Sequence, residues 1–184
     1  IKKLIPITYK HSDKIIGISK ELSRDLQIFC SVKVETIYNP SYDRNDIFKV
    51  KLKKSNKKIK RILCVARFEK QKNHQMLLRA FKLSLKKINS ELILVGYGSM
   101  KKEIYNFILK NKLKNNVKII SNSKDIKKQY ALADLFCLTS LYEGFGNVLV
   151  EAGMNKIPII STDCKSGPRE ILNNGKYGDL VKIG

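Results

Sequence analysis

The chain has 184 residues, 43% of them hydrophobic, which is enough to bury a sizeable core. Its formal net charge is +21, but only six of its 37 basic residues are arginine, and an AT-rich genome explains such a lysine bias without a polyanionic partner. No apolar run approaches the ~18 to 20 residues of a membrane-spanning helix, and the four cysteines lack C-x-x-C or metal-ligand spacing. These features argue against an integral membrane protein, a zinc site and a disulfide framework, and they favour cysteines packed in the core in a reducing cytoplasm.

The first elements along the chain are a strand, a helix and a second strand, predicted over residues 14–18, 19–29 and 32–38. Ser19 is the expected N-cap of the helix, since a serine side chain can accept a hydrogen bond from the first turn. His11, which precedes these elements, is not expected to be catalytic.

A lysine-rich stretch without glycine follows, from the strand-breaking pair Asn39-Pro40 to Lys60. Eight basic residues lie between Lys49 and Arg61. We interpret this run first as a solvated linker. The alternative is a patch for lipid headgroups, because each lysine near an anionic surface can add up to ~1 kcal/mol of binding free energy.

From Arg61 onward, apolar strands alternate with amphipathic helices, which is the pattern of a parallel α/β sheet. The predicted strands occupy residues 62–66, 91–95, 117–120, 135–139, 157–161 and 179–183. The first helix of this region is predicted to place one apolar face in the core, formed by Leu77, Leu78, Phe81, Leu85 and Ile88. His74 lies in the first turn of the same helix, where we expect it to be exposed to solvent and not catalytic.

The loop after the fourth of these strands, within residues 138–152, has the features of an anion site. Gly144 and Gly146 let the backbone approach a ligand closely, and the amides that open the helix at Asn147 favour a phosphate. Glu143 and Glu151 bracket this turn, and carboxylates repel phosphate but accept hydrogen bonds from sugar hydroxyls. The combination suggests a nucleotide sugar.

The spacing of Glu143 and Glu151, within S-x-Y-E-G-F-G-N-V-L-V-E-A, resembles the retaining family-4 glycosyltransferases of the GT-B fold, also described as glycosyl transferases group 1. The segments V-A-R-F-E-K-Q-K-N at 65–73 and L-V-G-Y-G at 94–98 occur in the order of that family. Residues 161–172 resemble the bacterial members that build lipid-linked or surface glycans.

This resemblance implies an α/β fold of the GT-B type, in which two Rossmann-like domains face each other. Residues 1–38 would be the C-terminal tail of the N-terminal acceptor domain, and residues 39–60 would be the interdomain linker. Residues 61–184 would form the nucleotide-sugar (donor) binding domain, truncated at its C-terminus. Such a chain is expected to bind donor nucleotide but not to turn over by itself.

The resemblance also implies roles for individual residues. Arg67 and Lys72 would contact the diphosphate, Glu151 would hold the ribose, and Glu143 would meet the transferred sugar. Glu143, Arg67 and Lys72 are the expected catalytic residues, and the expected donor-binding set is Arg67, Lys72, Gly96, Glu143, Gly144, Phe145, Gly146, Asn147, Val148 and Glu151. No metal or cofactor is expected, because fixed cations and helix dipoles can stabilise the departing diphosphate.

The implied reaction is retaining transfer of a hexose or N-acetylhexosamine from a nucleotide-diphosphate sugar, with UDP favoured, to a glycan or polyprenyl-linked acceptor. It would take place in the cytoplasm or at the inner face of the plasma membrane, with an anionic membrane surface as an additional partner. One alternative is a GT-B-fold sugar-nucleotide epimerase or phosphorylase. A more remote one is a basic nucleic-acid-binding module, although the chain lacks an aromatic stacking face or recognition motif, so no nucleic-acid partner is expected.

Overall fold

A computed structural model describes residues 5–40, 59–121 and 126–184. Most of the predicted linker, including the basic run up to residue 58, lies outside these ranges. None of the helices in the described ranges could span a lipid bilayer, and the longest of them has 11 residues.

The first part of the chain forms a small parallel sheet of two strands, β1 (Ile15–Gly17) and β2 (Val34–Thr36). Helix α1 (Ile5–Tyr9) precedes β1, and α2 (Lys20–Cys30) connects the two strands. The predicted order of strand, helix and strand is confirmed, although both strands are shorter than expected. The predicted N-cap is also confirmed, because the Leu22 amide donates a hydrogen bond of 3.2 Å to Ser19 Oγ.

The second sheet has six strands, all parallel, in the order β5-β4-β3-β6-β7-β8. The strands are β3 (Lys60–Val65), β4 (Ser90–Val95), β5 (Val117–Ile120), β6 (Leu135–Leu138), β7 (Ile159–Thr162) and β8 (Asp179–Val181). The predicted alternation of strands and helices is therefore confirmed. The predicted start of the fifth strand at residue 157 is wrong: β7 begins after Pro158, which has no N–H to donate to a strand ladder.

Helices cover both faces of the second sheet. They are α3 (His74–Ser84), α4 (Lys101–Lys110), α5 (Ile126–Leu132), α6 (Asn147–Met154) and α7 (Pro168–Ile171), with a 3-10 turn at Lys70–Lys72. Side chains of α3 and α4 pack in one apolar cluster, and side chains of α5 and α6 pack in another. Neighbouring residues of a strand point to opposite faces of the sheet. Cys64 of β3 therefore packs in the cluster of α3 and α4, and Leu63 packs in the cluster of α5 and α6.

The predicted core face of α3 differs from the structure at one residue. Leu77, Leu78 and Phe81 are buried as predicted, but Ile88 is 53% exposed. The reason is that α3 ends at Ser84, so Ile88 no longer follows the helical period that would turn it toward the sheet. All four cysteines are free and buried, so their predicted packing in the core is confirmed.

The order of the six strands creates a switch point between β3 and β6. The chain runs from β3 outward through β4 and β5, then returns to place β6 on the other side of β3. At such a point the loops that follow the two central strands diverge and leave a crevice, where open α/β sheets bind their ligands. The loops after β3 and β6 carry most of the residues singled out in the sequence.

Candidate functional site

The switch point brings together Lys72, which ends the 3-10 turn after β3, and Glu143, which lies in the loop after β6. Lys72 Nζ lies 2.6 Å from Glu143 Oε1, and the two side chains are only 13% and 7% exposed. Ser140 Oγ donates a second hydrogen bond of 2.6 Å to the same oxygen. Burial of two charges is unfavourable unless close pairing and further hydrogen bonds offset the lost hydration, and both are present here.

Three hydrogen bonds to backbone carbonyls also join the two loops. The Leu141 amide donates to the Gln71 carbonyl at 2.8 Å, and Gln71 Nε2 donates to the Tyr142 carbonyl at 2.7 Å. Thr139 Oγ1 donates to the Lys72 carbonyl at 3.1 Å. These bonds hold the backbone on both sides of the Lys72–Glu143 pair, so the pair sits on a fixed support.

Helix α6 begins beside this pair, as the glycine pattern predicted. Gly146 is its N-cap, with φ of 101°, a value that favours glycine, and it offers no side-chain cap to the first turn. Asn147 is exposed and Val148 is partly buried at the start of the helix, whereas Phe145 is buried just before it. Gly144 packs close to Ile18, since a Cβ at Gly144 would lie 3.1 Å from the Ile18 Cδ1 atom.

Glu151 lies in the second turn of α6, and its carboxylate is held by Tyr130, a buried residue that is not among those predicted for the site. Tyr130 of α5 donates a hydrogen bond of 2.6 Å from its hydroxyl to Glu151 Oε2. Burial raises the pKa of the Tyr130 hydroxyl, and the Glu151 charge adds to this effect, so Tyr130 remains a hydrogen-bond donor. Tyr130 lies four residues after Ile126 on the apolar face of α5. No neighbouring residue in the sequence indicates that its hydroxyl also binds Glu151.

Arg67 and Gly96 follow neighbouring strands at the same edge of the sheet. The Arg67 side chain is exposed. Beside it, the pKa of Glu69 is lowered mainly by the hydrogen bonds that Ser99 donates to this carboxylate, with a smaller contribution from the Arg67 charge. A Cβ at Gly96 would lie 2.0 Å from the Ala66 carbonyl oxygen, so glycine is required there for the two backbones to approach each other.

His74 contradicts the prediction of solvent exposure, because it is only 3% exposed. Its ring packs edge-on against Phe68 with centroids 5.1 Å apart, so the loop after β3 covers the first turn of α3. Neither ring nitrogen has a hydrogen-bond partner among the described residues. Burial and, to a smaller extent, the charge of Lys72 lower the pKa of His74 to about 4, so the imidazole is neutral near pH 7.

The turn at residues 163–167, between β7 and α7, packs against the loop that carries Glu143 and is hydrogen-bonded to it. The Glu143 amide donates to the Lys165 carbonyl at 3.1 Å. Gly167 has φ of 104°, and a Cβ there would lie 1.7 Å from the Phe145 carbonyl oxygen. Arg169 forms an ion pair with Asp163, with 3.0 Å between Nε and Oδ1. Helix α7 begins at Pro168, because proline favours the first position of a helix, where a missing N–H leaves no bond unmade.

Comparison with known proteins gives consistent matches. Residues 43–184 match the family model described as glycosyl transferases group 1. The chain is 33% identical over 185 residues to the N-acetylgalactosamine-N,N'-diacetylbacillosaminyl-diphospho-undecaprenol 4-alpha-N-acetylgalactosaminyltransferase of Campylobacter jejuni, covering 99% of the chain and 50% of that protein. It is 32% identical over 183 residues to the amylovoran biosynthesis glycosyltransferase AmsD of Erwinia amylovora, covering 96% of the chain and 51% of AmsD.

The chain thus spans about half the length of the curated relatives it matches. Among solved structures, S. aureus TarM in a complex that includes UDP matches with a TM-score of 0.83 and 24% identity, over 98% of the chain and 36% of TarM. At that identity the match shows the fold alone, and it confirms the α/β fold class of the GT-B type.

Proposed function

Because the chain belongs to the glycosyl transferases group 1 family, we propose that it is the donor-binding part of a retaining glycosyltransferase. It would move a hexose or N-acetylhexosamine from a UDP-sugar to a glycan or polyprenyl-linked acceptor. The buried pair of Lys72 and Glu143 at the switch point carries this proposal, because it puts a cation and a hydroxyl-binding carboxylate in one crevice. The family match gives no support to the alternatives of an epimerase, a phosphorylase or a nucleic-acid-binding module.

In this proposal Lys72 and Arg67 stabilise the negative charge that grows on the departing diphosphate. Lys72 acts as a point charge on a fixed support, and the exposed Arg67 can offer two N–H groups to two phosphate oxygens. The start of α6 at Gly146 and Asn147 adds the positive end of a helix dipole. Together these groups supply the stabilisation without a metal ion or cofactor.

The two glutamates would act on different parts of the donor. Glu151, held by Tyr130, is suited to the ribose hydroxyls, because the tyrosine fixes one carboxylate oxygen. Glu143 is suited to the hydroxyls of the transferred sugar, and its charge favours the positive character that develops at the anomeric carbon. The presence of UDP in the TarM complex supports UDP as the nucleotide.

The domain assignment and the acceptor are part of the same proposal. Residues 1–38 would be the tail of an acceptor domain and residues 39–60 the linker, which is supported by the separation of the two parallel sheets. The name of the C. jejuni relative describes a diphospho-undecaprenol substrate. A polyprenyl-linked acceptor would place the reaction in the cytoplasm at the inner face of the plasma membrane.

The role of Arg67 is tested by substitution. Arg67→Ala is expected to weaken binding of UDP itself by ~1.5 to 3 kcal/mol, because charge-assisted hydrogen bonds to the diphosphate are lost. Isothermal titration with UDP measures this change. Arg79→Ala, on the exposed side of α3, is the matched control and should leave the affinity unchanged. Equal UDP affinity of Arg67→Ala and the unsubstituted protein would contradict the diphosphate role.

The roles of the glutamates are separated by comparing UDP with UDP-sugars. Glu151→Ala is expected to weaken both alike, whereas Glu143→Gln should spare UDP and lower the kcat of the full-length enzyme, because its contact strengthens in the transition state. Calorimetry and steady-state kinetics with a panel of UDP- and GDP-sugars provide the measurements. Glu103→Gln, an exposed glutamate of α4, is the control. Loss of UDP binding in Glu143→Gln, with Glu151→Ala unaffected, would reverse the assignment.

A further inference from the structure

Helix α2 connects the two strands of the small sheet. Its first turn is hydrogen-bonded to the turn at residues 165–166, which contacts the loop of Glu143. Glu21 Oε2 accepts a hydrogen bond of 2.7 Å from the backbone amide of Ser166. Ser166 is buried and has a left-handed φ of 62°, an uncommon conformation for a serine. A surrounding contact must hold a residue in such a conformation, and the Glu21 carboxylate supplies one directly.

Helix α2 and the segment from Lys165 to Glu170 each accept a hydrogen bond from the backbone of the other. Glu170 of α7 accepts a hydrogen bond of 3.0 Å from the Lys20 amide, the first N–H of α2. Tyr38, which follows β2, donates its hydroxyl to the same carboxylate. An acidic residue of each segment thus binds the backbone of the other, and Lys165 adds an ion pair of 2.6 Å with Asp25 on the exposed side of α2. Such a reciprocal arrangement fixes both the distance and the orientation between the two segments.

The turn held by Glu21 contacts the loop of Glu143 directly. The Lys165 carbonyl, one residue before Ser166, accepts the amide hydrogen of Glu143, with 3.1 Å between nitrogen and oxygen. Tyr142 and Lys165 also form a parallel β-bridge, and Gly167 lies against the Phe145 carbonyl. A short path of hydrogen bonds therefore runs from the Glu21 carboxylate through residues 165–166 to the Glu143 backbone.

We propose that Glu21 is a positioning residue for the sugar of the donor: it fixes the turn at residues 165–166 and thereby places Glu143. The inference rests on the proposed function, because it assumes that Glu143 contacts the transferred sugar. It makes α2 part of the donor site, although all donor-binding residues assigned above come from the larger sheet. The sugar half of the site would then be complete only while α2 is docked, whereas Glu151 and the nucleotide half would not depend on this contact.

The test compares UDP and UDP-sugar affinities of the full-length protein by calorimetry, using whichever of UDP-glucose, UDP-galactose and their N-acetylated forms binds most tightly. Glu21→Ala is expected to weaken the UDP-sugar about tenfold and UDP by less than about twofold, because only the sugar contact loses its support. Glu21→Gln keeps an oxygen that can accept from Ser166 and should recover most of the affinity. Glu35→Ala, which removes the same charge from an exposed pair with Lys14, should change neither affinity.

Two results would overturn the inference while the proposed function stands: equal weakening of UDP and UDP-sugar by Glu21→Ala, or no weakening of either. A protein that binds UDP but no UDP-sugar, before any substitution, would overturn the proposed function and the inference together. Should Glu21→Ala fail to fold, Glu21→Asp keeps the charge and shortens the side chain. It is expected to lower the UDP-sugar affinity selectively, and an affinity equal to that of the unsubstituted protein would count against the inference.

Discussion

His74 ties the stability of the protein to pH. The pKa of an unfolded histidine is about 6.5, whereas burial lowers that of folded His74 to about 4. Between these values the unfolded chain binds a proton that the folded chain cannot. The stabilising neutral form is therefore complete above pH 6.5, and stability falls as the pH drops from 6.5 toward 4, by up to about 3 kcal/mol.

Urea unfolding at a series of pH values between 4 and 7 measures this slope. His74→Leu should flatten the profile over this range, because the leucine has no proton to bind. His11→Leu, which replaces the exposed second histidine, is the matched control and should leave the slope of the profile unchanged. Parallel profiles for His74→Leu and the unsubstituted protein would show that His74 is not the responsible group.

Breaking the buried Lys72–Glu143 pair is expected to lower the stability of the protein. Lys72→Met should destabilise the fold by about 3 kcal/mol, because it leaves the Glu143 carboxylate buried without its cation. Adding Glu143→Gln should restore part of the loss, since the charge itself is then removed. Lys14→Met breaks an exposed pair with Glu35 and should cost less than about 1 kcal/mol. Chemical denaturation measures all three, and a loss no larger in Lys72→Met than in Lys14→Met would contradict the prediction.

The local periodicity of the sequence was sufficient to predict most strands and helices of the larger sheet. Apolar runs bounded by turns predicted all six strands, and the glycines of the loop after β6 predicted where α6 begins. Periodicity failed where the cause was not local. The burial of His74 depends on a loop folded over it, and the bond between Glu21 and Ser166 joins residues separated by 145 positions. No pattern within one window of sequence carries that information.

The turn that joins β7 to α7 requires a glycine at position 167. Gly167→Ala should destabilise the protein by at least about 2 kcal/mol, because its φ of 104° disfavours a side chain and the new Cβ would meet the Phe145 carbonyl oxygen at 1.7 Å. Gly153→Ala, within α6, is the matched control: its Cβ would have 3.9 Å to the nearest atom, and the helix should gain up to about 1 kcal/mol. Thermal unfolding distinguishes the two, and equal Tm values would refute the steric argument.

If the net charge of +21 has a lipid partner, which is the alternative to a solvated linker, the protein should associate with anionic lipid surfaces. The protein should co-sediment with phosphatidylglycerol vesicles at low salt and be released at ~0.5 M salt, because screening then shortens the range of the attraction. Phosphatidylcholine vesicles are the control and should bind little. Salt-independent binding to both lipids would point to an apolar contact instead of a charged one.

The close fit of Gly167 beneath the Phe145 carbonyl has a consequence for engineering. The loop after β6 and the turn after β7 share a backbone hydrogen bond and leave no space between them, so neither can change its path alone. A graft intended to alter which sugar is accepted would therefore have to transplant both segments, residues 139–147 and 163–168, as one cassette. A protein that receives only residues 139–147 from another enzyme is expected to hold the glutamate at position 143 in the wrong place.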